Sequence, residues 1–116
     1  MGRPGLIWRG ETYDIDLGQP VGHEPAFLRP AVVVSVDILN NGPGQLVVVV
    51  PVGSVAYGLR SHVELEPGPS GLNHTSYARC DQLRVISTDR LSSRRGMVTP
   101  DELAGIDQAL RFVLDL

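Results

Sequence analysis

The sequence predicts a mostly β domain with a C-terminal helix: a small, mainly antiparallel sheet, curled or barrel-like, on which the helix packs. Three observations carry this expectation. Two short valine-rich runs, residues 29–36 and 46–52, flank the turn-forming segment Asn40-Asn41-Gly42-Pro43-Gly44. Neither run alternates between apolar and polar residues, so both faces of both strands are expected to be covered. The chain ends in apolar residues recurring at helical spacing behind a strong helix-start signal. With 116 residues, the chain is expected to form one domain, 1–116, with a modest core.

Residues 1–7 contain Gly and Pro without a period and are expected to be a loose leader. Tyr13, Ile15 and Leu17 alternate with Thr12, Asp14 and Asp16, the pattern of a half-buried strand. Residues 18–28, rich in Gly and Pro, are expected to form a loop leading to the first valine-rich strand. Pro30 lies at that strand's start, where a missing backbone donor costs least. The branched β-carbons of the two valine runs suit a pleated sheet better than a helix. His62-Val63-Glu64-Leu65-Glu66 alternates and predicts an edge strand with Val63 and Leu65 inward. Residues 76–86 read as one strand whose irregular alternation needs a bulge. Ser87-Thr88-Asp89-Arg90-Leu91 predicts a helical turn, and residues 94–98 an extended segment. Thr99-Pro100-Asp101-Glu102 combines a threonine cap, proline at the first helical position and a glutamate that closes a capping box. Asp101 and Glu102 also suit the positive end of the helix dipole. Leu103, Ile106, Ala109, Leu110, Val113 and Leu114 then mark the face expected against the sheet.

Composition narrows the function classes. Apolar residues make up 42% of the chain and charges are spread along it, which argues against disorder. The valine runs are far shorter than the roughly 20 residues of a membrane span, and no apolar run follows a basic start. No membrane association is therefore expected, and the expected location is cytoplasmic. Cys80 is the sole cysteine, so no internal disulfide is possible; a packed thiol is the leading expectation, a reactive thiolate the other. The net charge of −3 does not suggest a protein that coats nucleic acid, yet all ten basic residues are arginines. Five arginines from Arg79 to Arg95 face only Asp81 and Asp89 in sequence. A planar guanidinium fork fits phosphate oxygens, so a compact arginine surface can hold a few phosphates on an acidic protein. Salt bridging is the other reading of the same composition.

No zinc-site spacing links His23, His62 and His74, and no phosphate-binding loop, dinucleotide fingerprint or nucleophile elbow is present. No metal or cofactor is expected. What remains is Arg29 at the start of one valine strand and Ser54 just past the end of the next. Strands joined by a hairpin are antiparallel, so these two positions share one edge of the sheet. A guanidinium and a hydroxyl converging there would suit a phosphodiester, the cation neutralising charge on the phosphorane. The alternative is Arg29 as an ordinary surface or salt-bridged arginine.

Several segments then match a known family in order: Arg9-Gly10-Glu11-Thr12-Tyr13, Gly22-His23-Glu24, Arg29-Pro30-Ala31-Val32-Val33-Val34-Ser35, Val50-Pro51-Val52-Gly53-Ser54 and His62-Val63-Glu64-Leu65. Asp81-Gln82-Leu83-Arg84, Asp89-Arg90-Leu91 and the amphipathic C-terminal helix continue the match. The chain resembles the MazF/PemK-type toxins, the sequence-specific endoribonuclease half of a bacterial toxin–antitoxin pair. The resemblance implies a small SH3-like barrel of the MazF/PemK/CcdB type that acts as a homodimer. It implies cleavage of single-stranded RNA at a short motif, and silencing by the C-terminal segment of a cognate antitoxin lying across the active groove.

The family's key arginine falls on Arg29. Its key hydroxyl position is occupied here by Gly53, with Ser54 adjacent as a substitute. Consecutive strand residues face opposite ways, an objection that weakens if Gly53 sits in a turn. The family's Glu-Gln pair is here Asp81-Gln82, and the serine often found before the loop glutamate is replaced by His23. An arginine keeps its proton at ordinary pH, so Arg29 is expected mainly to hold the scissile phosphate. The resemblance implies the 2′-hydroxyl as nucleophile, giving a 2′,3′-cyclic phosphate and a 5′-hydroxyl end. Glu24 and His23 are the candidate bases, or else a solvated loop pair. Gln82, Gly53, Phe27 and Arg79 are expected at the RNA groove. Arg84 is expected there too, or else as the partner of Asp81, and one of Arg79, Arg90, Arg94 or Arg95 is expected to line the groove with Arg29 and Arg84. Tyr13, Phe27 and Tyr57 are candidates to stack an unpaired base, or else core cover. Two rival functions stay open: a catalytically weak or inactive barrel acting through protein binding, as a gyrase-poison-like or antitoxin-binding protein, and a structural or peptide-binding barrel.

Overall fold

The computed structural model describes residues 5–16 and 28–116. Strand β1 (Glu11–Asp16) precedes β2 (Leu28–Val33), a short helix α1 (Asp37–Asn40) and the long strand β3 (Leu46–Gly53). There follow β4 (His62–Leu65), β5 (Ser76–Arg79), a 3-10 corner at Cys80–Gln82, and β6 (Arg84–Ser87). A second 3-10 turn (Thr88–Arg90), β7 (Leu91–Met97) and helix α2 (Pro100–Leu114) complete the chain. The strands run in the order β4-β5-β3-β2-β1-β7, with β6 also on β3.

The valine runs behave as neighbouring strands whose opposite faces are both covered. In the β2–β3 pair, Val32 meets Val50 and Val33 meets Val49. Alternation then sends Val32, Val34, Val50 and Val52 to one core, with Leu65, Cys80, Ile106 and Ala109. Ala31, Val33, Val47 and Val49 face the other core, with Ile7, Tyr13, Ile15, Ile86 and Leu91. Helix α2 closes the first core and the curl of the sheet encloses the second. Burying a valine contributes about 1.5–3 kcal/mol over leaving it exposed, which makes this central pair the main source of cohesion.

The helix start forms as the sequence predicts. Thr99 Oγ1 accepts from the Glu102 amide at 3.2 Å and Glu102 Oε1 accepts from the Thr99 amide at 2.9 Å. The second Glu102 oxygen accepts from the Glu66 amide at 2.8 Å, tying the helix start to the end of β4. Ile106 and Ala109 are buried, and Leu103, Leu110 and Val113 pack against them. Leu114 is 49% exposed, a correction at the last turn, where the helix runs past the sheet.

Four further expectations change. Residues 76–86 do not form one bulged strand: β5 pairs with the end of β3, β6 with its beginning, and the 3-10 corner between them carries buried Cys80. Strand β1 is buried on both faces at its start, since Thr12 donates to the Ser70 carbonyl at 2.6 Å and Glu11 is enclosed. Ile7 is buried, held on both backbone groups by the Asn41 side chain at 2.8 and 2.9 Å, so the leader is anchored at that residue. The segment between the valine strands is not a bare turn but holds α1, whose start has no side-chain cap and whose end is held by Asn41, its backbone amide and its side chain both donating to the Asp37 carbonyl. Leu17 lies outside the described residues. Three other expectations hold: β4 is an edge strand with Leu65 inward, Ser87 caps the turn at Thr88–Arg90, and β7 is extended, while the loop expected at 18–28 lies outside the described residues except for Leu28, which opens β2.

One close approach positions the site. A β-carbon on Gly96 would collide with the carbonyl of Pro69, and one on Gly71 with the backbone of Arg95. Gly71 also holds φ at 71°, a conformation that favours glycine. These glycines let the turn after β4 lie directly on β7, which brings Leu72, Asn73 and His74 toward the end of β3.

Candidate functional site

Arg29 is the second residue of β2, and its Cα pairs with Ile15 of β1. On the other side Ala31 pairs with Pro51, so the same register carried two residues further sets Arg29 across from Gly53. Two hollows meet at this point. One, of about 260 Å³, is lined by Arg29, Gly53, Ser54, Asn73, His74 and Arg95 among others. The second, of about 310 Å³, is lined by Ile15, Arg29, Pro51, Val52, Arg79, Gln82 and Arg84. Among the described residues neither lining contains a carboxylate.

The antiparallel hairpin thus brings Arg29 and Ser54 to one hollow. Gly53 closes β3 and Ser54 lies in the bend beyond it, where strict strand alternation no longer applies. Arg79, Gln82 and Arg84 join Arg29 in the second hollow because the 3-10 corner stands beside the end of β3. Arg84 is not the partner of Asp81: that carboxylate lies 3.2 Å from His62 Nε2, and Arg84 has no carboxylate partner among the described residues.

The other arginines sort differently. Arg95 lines the first hollow but is paired with Asp14 at 3.0 Å. Arg94 is paired with buried Glu11, which also accepts from the Trp8 amide at 2.7 Å. Arg90 donates to the Asp16 carbonyl at 3.1 Å. Of the four arginines from which at least one was expected beside Arg29 and Arg84, Arg79 and Arg95 line a hollow at Arg29, and Arg90 and Arg94 do not. Tyr13 is core and not a stacking platform: burial first, and Glu11 beside it, push its phenol up to about 12. Tyr57 is 59% exposed, with the Arg79 guanidinium 5.5 Å from its ring centroid. Cys80 is a packed thiol, pushed up to about 12 by burial and, secondarily, by Asp81. His23, Glu24 and Phe27 lie outside the described residues.

Sequence reasoning passed over His74 as a site residue. Its Nδ1 lies 3.2 Å from both the Thr75 carbonyl and Ser76 Oγ, and the ring borders the hollow shared by Arg29 and Ser54. Nothing local singles it out, because only the packing of Gly71 on Gly96 brings its loop there. Among the described residues no three His, Cys, Asp or Glu side chains cluster as metal ligands, and no helix is long and apolar enough to cross a membrane.

Residues 8–114 match the family described as PemK-like, MazF-like toxin of type II toxin-antitoxin system. The chain is 38% identical to "Endoribonuclease MazF9" of Mycobacterium tuberculosis, over 96% of this chain and 98% of that one. It is 29% identical to "Endoribonuclease EndoA" of Bacillus subtilis, over 96% and 97% respectively. A solved mycobacterial endoribonuclease in complex with its cognate antitoxin superposes with a TM-score of 0.79 at 27% identity, covering 95% of this chain and 96% of that one.

Proposed function

This chain belongs to the PemK-like, MazF-like toxins of type II toxin–antitoxin systems, and on that premise we propose that it is a metal-independent endoribonuclease. Its substrate is single-stranded RNA, cut at a short sequence motif in the cytoplasm. One observation carries the reading at this site: two hollows meet at Arg29, one bearing Ser54 and His74, the other Arg79, Gln82 and Arg84, with no carboxylate among the described residues that line them. Such a furrow suits a strand threaded along it, with phosphates on the arginines and one scissile phosphate at the junction.

The chemistry is an internal transesterification. The 2′-oxygen attacks phosphorus, the bond to the 5′-oxygen breaks, and a 2′,3′-cyclic phosphate and a 5′-hydroxyl result. Arg29 holds the non-bridging oxygens and neutralises the charge that grows on them in the pentavalent state. Ser54 donates a hydrogen bond from the other side. The 2′-hydroxyl proton passes to a base and the leaving 5′-oxygen takes one up. Glu24 and His23 are candidates for that exchange, and His74 joins them as an imidazole bordering the hollow. The same furrow suits the acidic C-terminal segment of a cognate antitoxin, which would then compete with RNA. A homodimer belongs to the proposal, and exposed apolar side chains such as Ile38, 82% exposed, offer surface for a second copy.

Incubating the purified protein with a long unstructured RNA in the presence of EDTA tests the reading. Discrete fragments carrying 2′,3′-cyclic phosphate and 5′-hydroxyl ends are expected. RNA left intact would overturn the proposal in favour of a barrel that acts only by binding protein, the rival that Gly53 favours by removing a hydroxyl from the strand end.

A further inference from the structure

Gly53 and Arg79 occupy one volume between them. A β-carbon built on Gly53 would lie 2.8 Å from Arg79 Nε and closer still to the guanidinium carbon and Nη2. The guanidinium therefore rests on the bare backbone at Gly53, where any side chain at position 53 would have to stand. The sheet register explains how it reaches there. Gly53 pairs with Tyr77, so Arg79, two residues on, projects from the same face of β5.

Arg79 is held in place but not neutralised. The ring of Tyr57 lies on it at 5.5 Å, a favourable cation–π arrangement. Its Nε is buried without a hydrogen-bond partner, and no carboxylate pairs with it among the described residues. A guanidinium half withdrawn from water and left with an unsatisfied donor is poised for an incoming anion. Arg29 borders one hollow with Gly53 and shares the other with Arg79.

We infer that Arg79 is a second catalytic cation, which with Arg29 clamps the scissile phosphodiester across Gly53 and takes the place of a side-chain hydroxyl at position 53. This rests on the nuclease reading above and adds one statement to it: glycine at 53 is the condition for the clamp, not a lesion in the site. Position 53 must stay bare while Arg79 is present, and gains from a hydroxyl only once Arg79 is gone.

The test compares full-length wild type, Arg79→Ala, Arg79→Gln, Gly53→Thr and the double variant Gly53→Thr/Arg79→Ala. Each is assayed on the same long unstructured RNA with EDTA, and its fold is checked by circular dichroism and melting. The two Arg79 variants are expected to lose roughly 10²-fold in turnover, as when one transition-state donor is removed. Gly53→Thr alone is also expected to fall, because its β-carbon displaces the guanidinium. The double variant should recover about tenfold over Arg79→Ala, one hydrogen bond's worth. Binding of the all-2′-O-methyl form of the same RNA supplies a readout that a purely structural role would not move: its log–log salt slope should shrink by about 0.7 in both Arg79 variants. Wild-type turnover and an unchanged salt slope in folded Arg79→Ala or Arg79→Gln would overturn the inference while leaving the nuclease reading intact. So would a double variant no better than Arg79→Ala. Wild-type protein that leaves the RNA uncut would remove both.

Discussion

The arginines of β7 and those around the end of β3 are the same residue type in opposite electrostatic situations. Arg94 and Arg95 reach across to Glu11 and Asp14 of β1, so their charge is spent inside the protein. Arg79 and Arg84 stand beside Arg29 in a hollow with no acid among the described residues of its lining. An ion pair fixes one strand against the next, whereas a cation without an acid beside it keeps its field for a ligand. Composition counts both groups alike. The difference shows that the arginines paired with acids and those gathered in a hollow occupy distinct positions, which their total does not reveal.

Substitution at each place breaks or sharpens that contrast. The largest effect is expected at Arg29→Ala, which should lower RNA cleavage by at least about 10²–10³-fold while the melting temperature stays put. A variant that cuts at the wild-type rate would take the residue out of the mechanism. Arg94→Ala should do the reverse, leaving the Glu11 carboxylate buried beside Tyr13 without its cation. A loss of about 1–3 kcal/mol in stability is expected, seen as a lower thermal midpoint, with cleavage unchanged well below it. If turnover collapsed while stability held, the division between the two groups would be wrong. Arg84→Ala should have the mildest outcome: RNA binding weakened several-fold across sequences and a salt slope smaller by about 0.7, with the rate at saturating RNA preserved. Unaltered affinity at every salt concentration would place Arg84 outside the groove.

Legibility in the sequence followed the range of the interactions. The capping box at Thr99 and Glu102, the valine strands and the 3-10 turn after Ser87 depend on residues within a few positions of one another, and all were readable. The break at Cys80–Gln82 was not, because it answers to the length of β3, on which β5 and β6 must both find room. Leu114 fits the helical period, yet no strand reaches far enough to cover it. Arg29 and Ser54 were placed together by hairpin topology alone. His74 escaped notice because its position depends on Gly71 meeting Gly96, two residues brought together only by the fold.

By itself the sequence determined the class of fold, the helix and its start, the central strand pair and the family to which the chain belongs, since each is written in local pattern or ordered motifs. Only the tertiary structure decided which arginines pair with acids and which line the hollow at Arg29, and what fills the space over Gly53. Charge pairing and excluded volume act between residues distant in the chain, and a linear pattern carries no distance.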